Sequence, residues 1–223
     1  MSQDHPTGTA ERLRRAFTAP SSSTRLRAAL TAGSTPSSHY IDVLVEQCRT
    51  EPDFYVRDML TWALIRHDSE AVIERLRPEL RSDVAQGRSQ ALHTLSKIGD
   101  PVIWPAITRA HLQDDDDEVA RAAWRTAVGL VPDDQEGELA EVLATQLARG
   151  GPDVQRSLSR ALAALGDAAR PVVERAKASR TGNVRVHAIA TERLMDDPDE
   201  GFDAAIAEAR RAVALLDAPG LER

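Results

Sequence analysis

The chain has 223 residues, enough for one elongated repeat array or one to two compact domains. Hydrophobic residues make up 42% and charged residues 28%, which predicts a folded body; aromatics at 4% leave alanine and leucine to build the core. A net charge of −7 argues against nucleic-acid or anionic-membrane binding driven by overall charge, and leaves room for a local basic face.

Residues 1–8 are polar, hold Pro6 and Gly8, and read as loose. Thr9 to Thr18 reads as a short helix, with Thr9 as N-cap and Leu13 and Phe17 on one face. Pro20-Ser21-Ser22-Ser23 then breaks the chain. From there one pattern recurs: an apolar anchor, usually Arg next, apolar residues four and eight on, and an acidic turn. The anchors are Leu26, Val56, Gly87 (a weak member), Val119, Val154 and Val184, spaced 30, 31, 32, 35 and 30 residues apart. A period in this range predicts stacked helical units.

Each unit reads with a helical period, and no run alternates as a strand does. Cys48 falls among Tyr40, Ile41, Leu44 and Val45 as a packed thiol, and being the single cysteine it forms no internal disulfide. In the second unit Val56, Leu60, Ala63, Leu64 and His67 share a face, Asp68 turns the chain, and Val72, Ile73, Leu76 and Leu80 point inward. The third gives Ala91, Leu95 and Ile98, then Gly99-Asp100-Pro101, then Val102, Ile103 and Ile107 on a second helix. Gly99 suits a left-handed helix end, Asp100 an N-cap and Pro101 a first turn.

The fourth unit replaces the tight turn with Val131-Pro132-Asp133-Asp134 and a longer acidic loop, before Leu139, Val142, Leu143 and Leu147. The fifth carries Leu158, Ala161, Leu162 and Leu165, Gly166-Asp167, then Val172 and Val173. The sixth carries Ala188 and Met195, a turn at Asp196-Asp197-Pro198, then Phe202, Ile206, Ala209 and Val213. The expected organisation is a flexible N-terminus with a capping helix over 1–22, a repeat array over 23–216 and a flexible tail over 217–223.

The segments 55–68 (YVRDMLTWALIRHD), 118–131 (EVARAAWRTAVGLV) and 153–167 (DVQRSLSRALAALGD) resemble HEAT repeats, with a Val-Arg start, paired small apolar residues and a Gly-Asp turn. Pro105 and Pro171 resemble the proline common early in the second HEAT helix. The resemblance spans roughly residues 24–215 and is closest to short bacterial HEAT-like proteins grouped with phycobilin-lyase repeats. It implies an all-α, right-handed α-solenoid of about six helical hairpins with an N-terminal capping helix, first helices outside and second helices inside. It also implies a scaffold that binds other macromolecules through an extended face.

Chemistry-bearing motifs are sparse. No two histidines among His5, His39, His67, His93, His111 and His187 are four apart, so common zinc patterns are absent. HEAT-like hydroxylases that hold two irons carry repeated His-Glu dipeptides, and this chain has none. There is no Gly-x-Ser-x-Gly elbow and no phosphate loop. Nothing marks a tetrapyrrole site, and no cofactor is expected. Asp114 to Glu118 lacks the spacing and turn glycine of a calcium loop and reads as a solvated, helix-capping turn. Trp104 and Trp124 read as core residues.

A ridge on the first helices is the one suggestive constellation. Two, six and ten places after the anchors stand Asp58, Ser89, Arg121 and Arg156; Trp62, His93, Arg125 and Arg160; and Arg66, Lys97, Gly129 and Ala164. Steps of four share a helical face, so stacking aligns a mainly basic strip ending in Trp62. It reads either as a partner-binding surface or as a solvated face whose arginines pair with nearby acids and whose Trp62 packs on a neighbouring helix. The expected function is a non-catalytic, monomeric, cytoplasmic adaptor for an unidentified protein partner. The alternatives are a nucleic-acid binder resembling HEAT-like DNA glycosylases, using Arg75, Arg77, Arg81, Arg170, Arg175 and Arg180, and a regulatory subunit of an enzyme. No run is long and apolar enough to span a bilayer.

Overall fold

The structure, a computed structural model, describes residues 6–216. Among them there are helices and no strand. Helix α1 (Pro6–Phe17) precedes six helical hairpins. Their first helices are α2 (Ser22–Ser34), α4 (Phe54–Leu64), α6 (Ala85–Ile98), α8 (Asp117–Leu130), α10 (Pro152–Ala164) and α12 (Gly182–Asp196). The second helices are α3 (Ser38–Thr50), α5 (Ser69–Leu76), α7 (Arg109–Leu112), α9 (Glu136–Ala144), α11 (Arg170–Lys177) and α13 (Phe202–Leu216). Every first helix packs on the next first helix; second helices do so at α3–α5, α7–α9 and α9–α11. Helix α1 lies on α3 and α2 and seals one end with Leu13 and Phe17. The fold is an all-α solenoid.

The anchors sort by how tightly the layers approach. Val56, Val119 and Val154 are buried, as is Gly87, while Leu26 and Val184 are half-buried. Gly87 is small for a reason. A Cβ there would meet Ser82 Oγ at 3.1 Å and Arg49 Cγ at 3.3 Å, so the start of α6 seats on the preceding turn with no room for valine.

An Arg adjoining the anchor, before Leu26 and after Val56 and Gly87, also acquires a physical role. Arg25, Arg57 and Arg88 each stand four residues after a helix N-cap (Ser21, Asp53, Val84). Each reaches back to carbonyls of its own inter-repeat turn: Arg25 donates to Ala19 and Pro20, Arg57 to Glu51 and Pro52, Arg88 to Ser82. Two of them also grip an acid in the next turn. Arg25 pairs with buried Glu51 at 2.7 Å, and Arg88 with Asp114 at 2.9 Å. Glu51 and Asp114 in turn accept the backbone N–H of the N-cap residues Asp53 and Asp116. Ser82 fills the acid's place in the intervening turn, accepting from Val84 N–H. In the fourth unit Ala120 replaces the Arg, and Arg149 comes in from the fifth turn to bond Asp114 carbonyl and Asp117. These brackets fix each first helix relative to the next.

A buried hydroxyl ladder runs through the first helices at Thr61, Thr94, Thr126, Ser159 and Thr191, all at most 3% exposed. Thr61 meets Thr94, Thr126 donates to Leu92 carbonyl, and Ser159 meets both Thr191 and His187. Burying hydroxyls costs free energy unless they are paired, and the partners satisfy them across the stack.

Several expectations need correction. Helix α1 begins at Pro6, and Thr9 lies inside it and accepts from Arg12 instead of capping. The third unit's expected second helix becomes a 3-10 turn over Pro101–Ala106 plus the short α7, because Pro105, inside the segment, lacks the N–H an α-helix needs there. Val102 consequently faces solvent at 53% exposure, although Ile103 and Ile107 are buried as expected. The expected acidic loop of the fourth unit is a 3-10 turn over Asp133–Gln135 running straight into α9. The tail 217–223 and residues 1–5 lie outside the described residues.

Candidate partner-binding face

Of the nine charged or aromatic ridge residues, eight sit on first helices and Arg66 lies in the turn just after α4; they divide into two groups. Asp58, His93, Arg121, Arg125, Arg156 and Arg160 line a row of shallow grooves between α4 and α13. Trp62 on the last turn of α4, Arg66 after it and Lys97 on the last turn of α6 lie outside these grooves.

Three grooves succeed one another. The first, about 280 Å³, is walled by Phe54, Asp58, His93, Glu118, Arg121 and Arg125. The second, about 400 Å³, lies between α8 and α10 and takes Arg121, Arg125, Arg156 and Arg160 as its cationic wall, with Val128, Ala161 and Ala164 beside them. The third, about 430 Å³, shares Arg156 and Arg160 and ends against Phe202 and Asp203. Adjacent grooves therefore share an arginine pair. Small residues make the channel, because each alanine lets the neighbouring side chains stand up as walls.

The charges along it are unequal. Arg121 pairs with Glu118 at 2.7 Å. Arg156 pairs with Asp153 at 2.6 Å and Asp203 at 2.9 Å, and lies 5.7 Å from the Phe202 ring centre. Arg125 and Arg160 are exposed and have no carboxylate partner among the described residues. Arg125 instead donates to His93 Nδ1 at 3.3 Å, which places the neutral imidazole's proton on Nε2. Burial, then the nearby Arg125 and Lys97 cations, push the His93 pKa down, against a smaller opposing pull from Asp58.

Trp62 is not a free anchor. It is half-buried and packs over Gly33 of α2, with the Arg66 guanidinium 6.0 Å from its ring centre. The exposed aromatics are Phe54 and Tyr55, at 66% and 73%, stacked edge to face at the start of α4 with Arg57 beside Phe54. The sequence carried a signal for them. They are the two residues between the N-cap Asp53 and the anchor Val56, positions that turn away from the core.

The other polar candidates are absorbed by the fold. Trp124 is buried and donates to Leu112 carbonyl, as a core residue; Trp104 is half-buried and donates to Gln135. His67 bonds Ala63 carbonyl, and His111 accepts from Thr108 N–H and donates to Leu80 carbonyl. His187 accepts from Ala148 N–H, and burial lowers its pKa to about 4. Burial pushes the Cys48 thiol up to about 12, which leaves it no nucleophilic thiolate near neutrality. Within the acidic run, Asp114 grips Arg88, Asp116 caps α8 and Asp117 grips Arg149. A larger cavity, about 880 Å³, opens between the second and third units beside Arg77, Arg81, Arg88, Pro105 and His111. It is the space left by the proline-broken second helix, and its Arg88 and Arg77 already face Asp114 and Glu74.

Residues 41–129 match the family model described as HEAT repeats. That segment carries HEAT repeats. Solved structures similar to this chain include an engineered protein (22% identity, covering 90% of this chain and 97% of that one, TM-score 0.46). Human deoxyhypusine hydroxylase in complex with glycerol is another (17% identity, 96% of this chain and 92% of that one, TM-score 0.45). No curated protein matches the chain. No helix among the described residues is long and apolar enough to cross a membrane.

Proposed function

We propose that this protein is a non-catalytic, monomeric, cytoplasmic adaptor that holds a protein partner along its first helices. The continuity of the three grooves supports this most. A surface crossing five repeats, with shared arginine walls and an exposed aromatic pair at one end, has the mixed composition of a protein-docking face. His67, His111, His187 and Cys48 are engaged in packing and internal hydrogen bonds, not free for catalysis.

The nucleic-acid alternative has less support. Its arginines are largely neutralised: Arg75 by Asp42 and Glu79, Arg77 by Glu74, Arg170 by Asp167 and Asp196, and Arg175 by Glu141. A regulatory subunit would use the same surface as an adaptor.

The test is capture from lysate of the source cells by the wild-type chain and by the Arg125→Glu, Arg160→Glu double variant. The variant should keep its circular dichroism and melting and lose the captured protein. A folded variant that captures the same protein removes this face from the reading. Replacing Trp62 is unsuited to this test, because its ring spaces α2 from α4.

A further inference from the structure

We infer that the groove row takes an extended acidic peptide of about ten residues, with an apolar side chain against Phe54 and Tyr55 and carboxylates on Arg125 and Arg160. This rests on the docking role proposed above and names the occupant.

The length follows from the stacking. Phe54 opens the second unit, Arg125 belongs to the fourth and Arg160 to the fifth. Packed helices stand about 8–10 Å apart, so Arg125 is two steps and Arg160 three steps from Phe54, or about 20 Å and 30 Å. An extended chain rises about 3.3 Å per residue, so the carboxylates fall about six and nine residues beyond the apolar one.

The chemistry follows from which cations are uncompensated. Arg121 and Arg156 carry their own acids, while Arg125 and Arg160 project without one. A guanidinium holds a carboxylate through two parallel N–H bonds, and its hydrogen bond to His93 already orients Arg125. The spacing also disfavours a nucleic acid. Asp58, Glu118, Asp153 and Asp203 line the same row, and a phosphate chain with a charge on every nucleotide would run over them. A peptide with two spaced carboxylates passes between. The Phe54–Tyr55 pair supplies apolar area at one end of the row, beside Arg57, whose guanidinium is held by the Glu51 and Pro52 carbonyls.

The probe is a fluorescein-labelled decapeptide with leucine at one end, glutamates six and nine places on and serine elsewhere, together with its reversed sequence, since either chain direction spans the grooves. Fluorescence anisotropy with the full chain at low salt should show saturable binding by one of the two. Exchanging both glutamates for glutamine should weaken it about tenfold or more, as should Arg125→Glu with Arg160→Glu. Arg160→Glu alone, which disturbs no internal hydrogen bond, should weaken it several-fold, and so should Phe54→Ala. No saturable binding by either peptide overturns the inference. So does binding indifferent to the glutamate exchange, or a decamer of oligothymidylate that binds more tightly. If neither peptide binds yet the double variant still loses its natural partner, the acidic-peptide assignment falls and the adaptor reading stands.

Discussion

Replacing Gly33 by alanine tests how the first two repeats set the position of Trp62. A Cβ at Gly33 would lie 2.8 Å from Trp62 Cε3, nearer still to Cζ3, and 2.9 Å from the Ala63 Cα. The indole must move or α2 must lift from α4. Overpacking of this kind costs about 1–3 kcal/mol. Alanine in mid-helix recovers up to about 1 kcal/mol over glycine. The net is a loss of about 1–2 kcal/mol, or about 3–6 °C of melting temperature for a chain of this size. In a Trp62→Ala background the clash with the ring is gone and only the 2.9 Å contact with the Ala63 backbone remains, so the same change should cost clearly less than in the wild type. Urea unfolding followed by far-UV circular dichroism on the four chains gives the coupling energy directly. Equal destabilisation in both backgrounds, or stabilisation in the wild type, would refute the packing argument.

Two further perturbations probe the brackets and the ladder. Glu51→Gln keeps the shape but leaves the nearly buried Arg25 without its counter-charge, so urea unfolding should show a loss of about 3–5 kcal/mol; less than about 1 kcal/mol would show that the pair is dispensable. His187 is neutral in the fold with its pKa at about 4, below the ordinary value of 6.5. Its stabilisation is therefore complete above about pH 6.5 and is lost as pH falls toward 4, by about 3 kcal/mol in all. Carboxylates also titrate in this range, so the measure is the difference between the stability–pH profiles of the wild type and His187→Asn. An NMR titration of His187 near pH 6.5 would contradict the assignment.

The sequence made the repeat legible because the anchors, turn acids and inward leucines all obey one period. What it hid was pairwise. An Arg beside most anchors was visible as a pattern, but the grip of Arg25 on Glu51 and of Arg88 on Asp114 joins residues 26 apart, across a turn whose path only the fold defines. The hydroxyl ladder keeps spacings of 33, 32, 33 and 32, more regular than the anchors, yet single Thr and Ser residues on an apolar face carry little weight in a hydropathy pattern. The third second helix was misjudged because Val102, Ile103 and Ile107 suggest a helical face while Pro105, past the first turn, denies it.

The face itself was half legible. Steps of four placed Asp58, His93, Arg121, Arg125, Arg156 and Arg160 together, because helical geometry and stacking suffice for that. They could not tell which arginines were neutralised, since Asp203 reaches Arg156 from 47 residues away. They also left Trp62 either an exposed anchor or packed on a neighbouring helix, and the close approach permitted by Gly33 makes it a packing residue.

The most direct measurement of the docking claim is an NMR titration of the full chain with the glutamate decapeptide, following arginine side-chain Nε–H resonances. Those of Arg125 and Arg160 should shift together and saturate at one concentration, while those of Arg25 and Arg88, locked in their brackets, stay still. Shifts confined to Arg77 and Arg81, beside the cleft between the second and third units, would contradict the account.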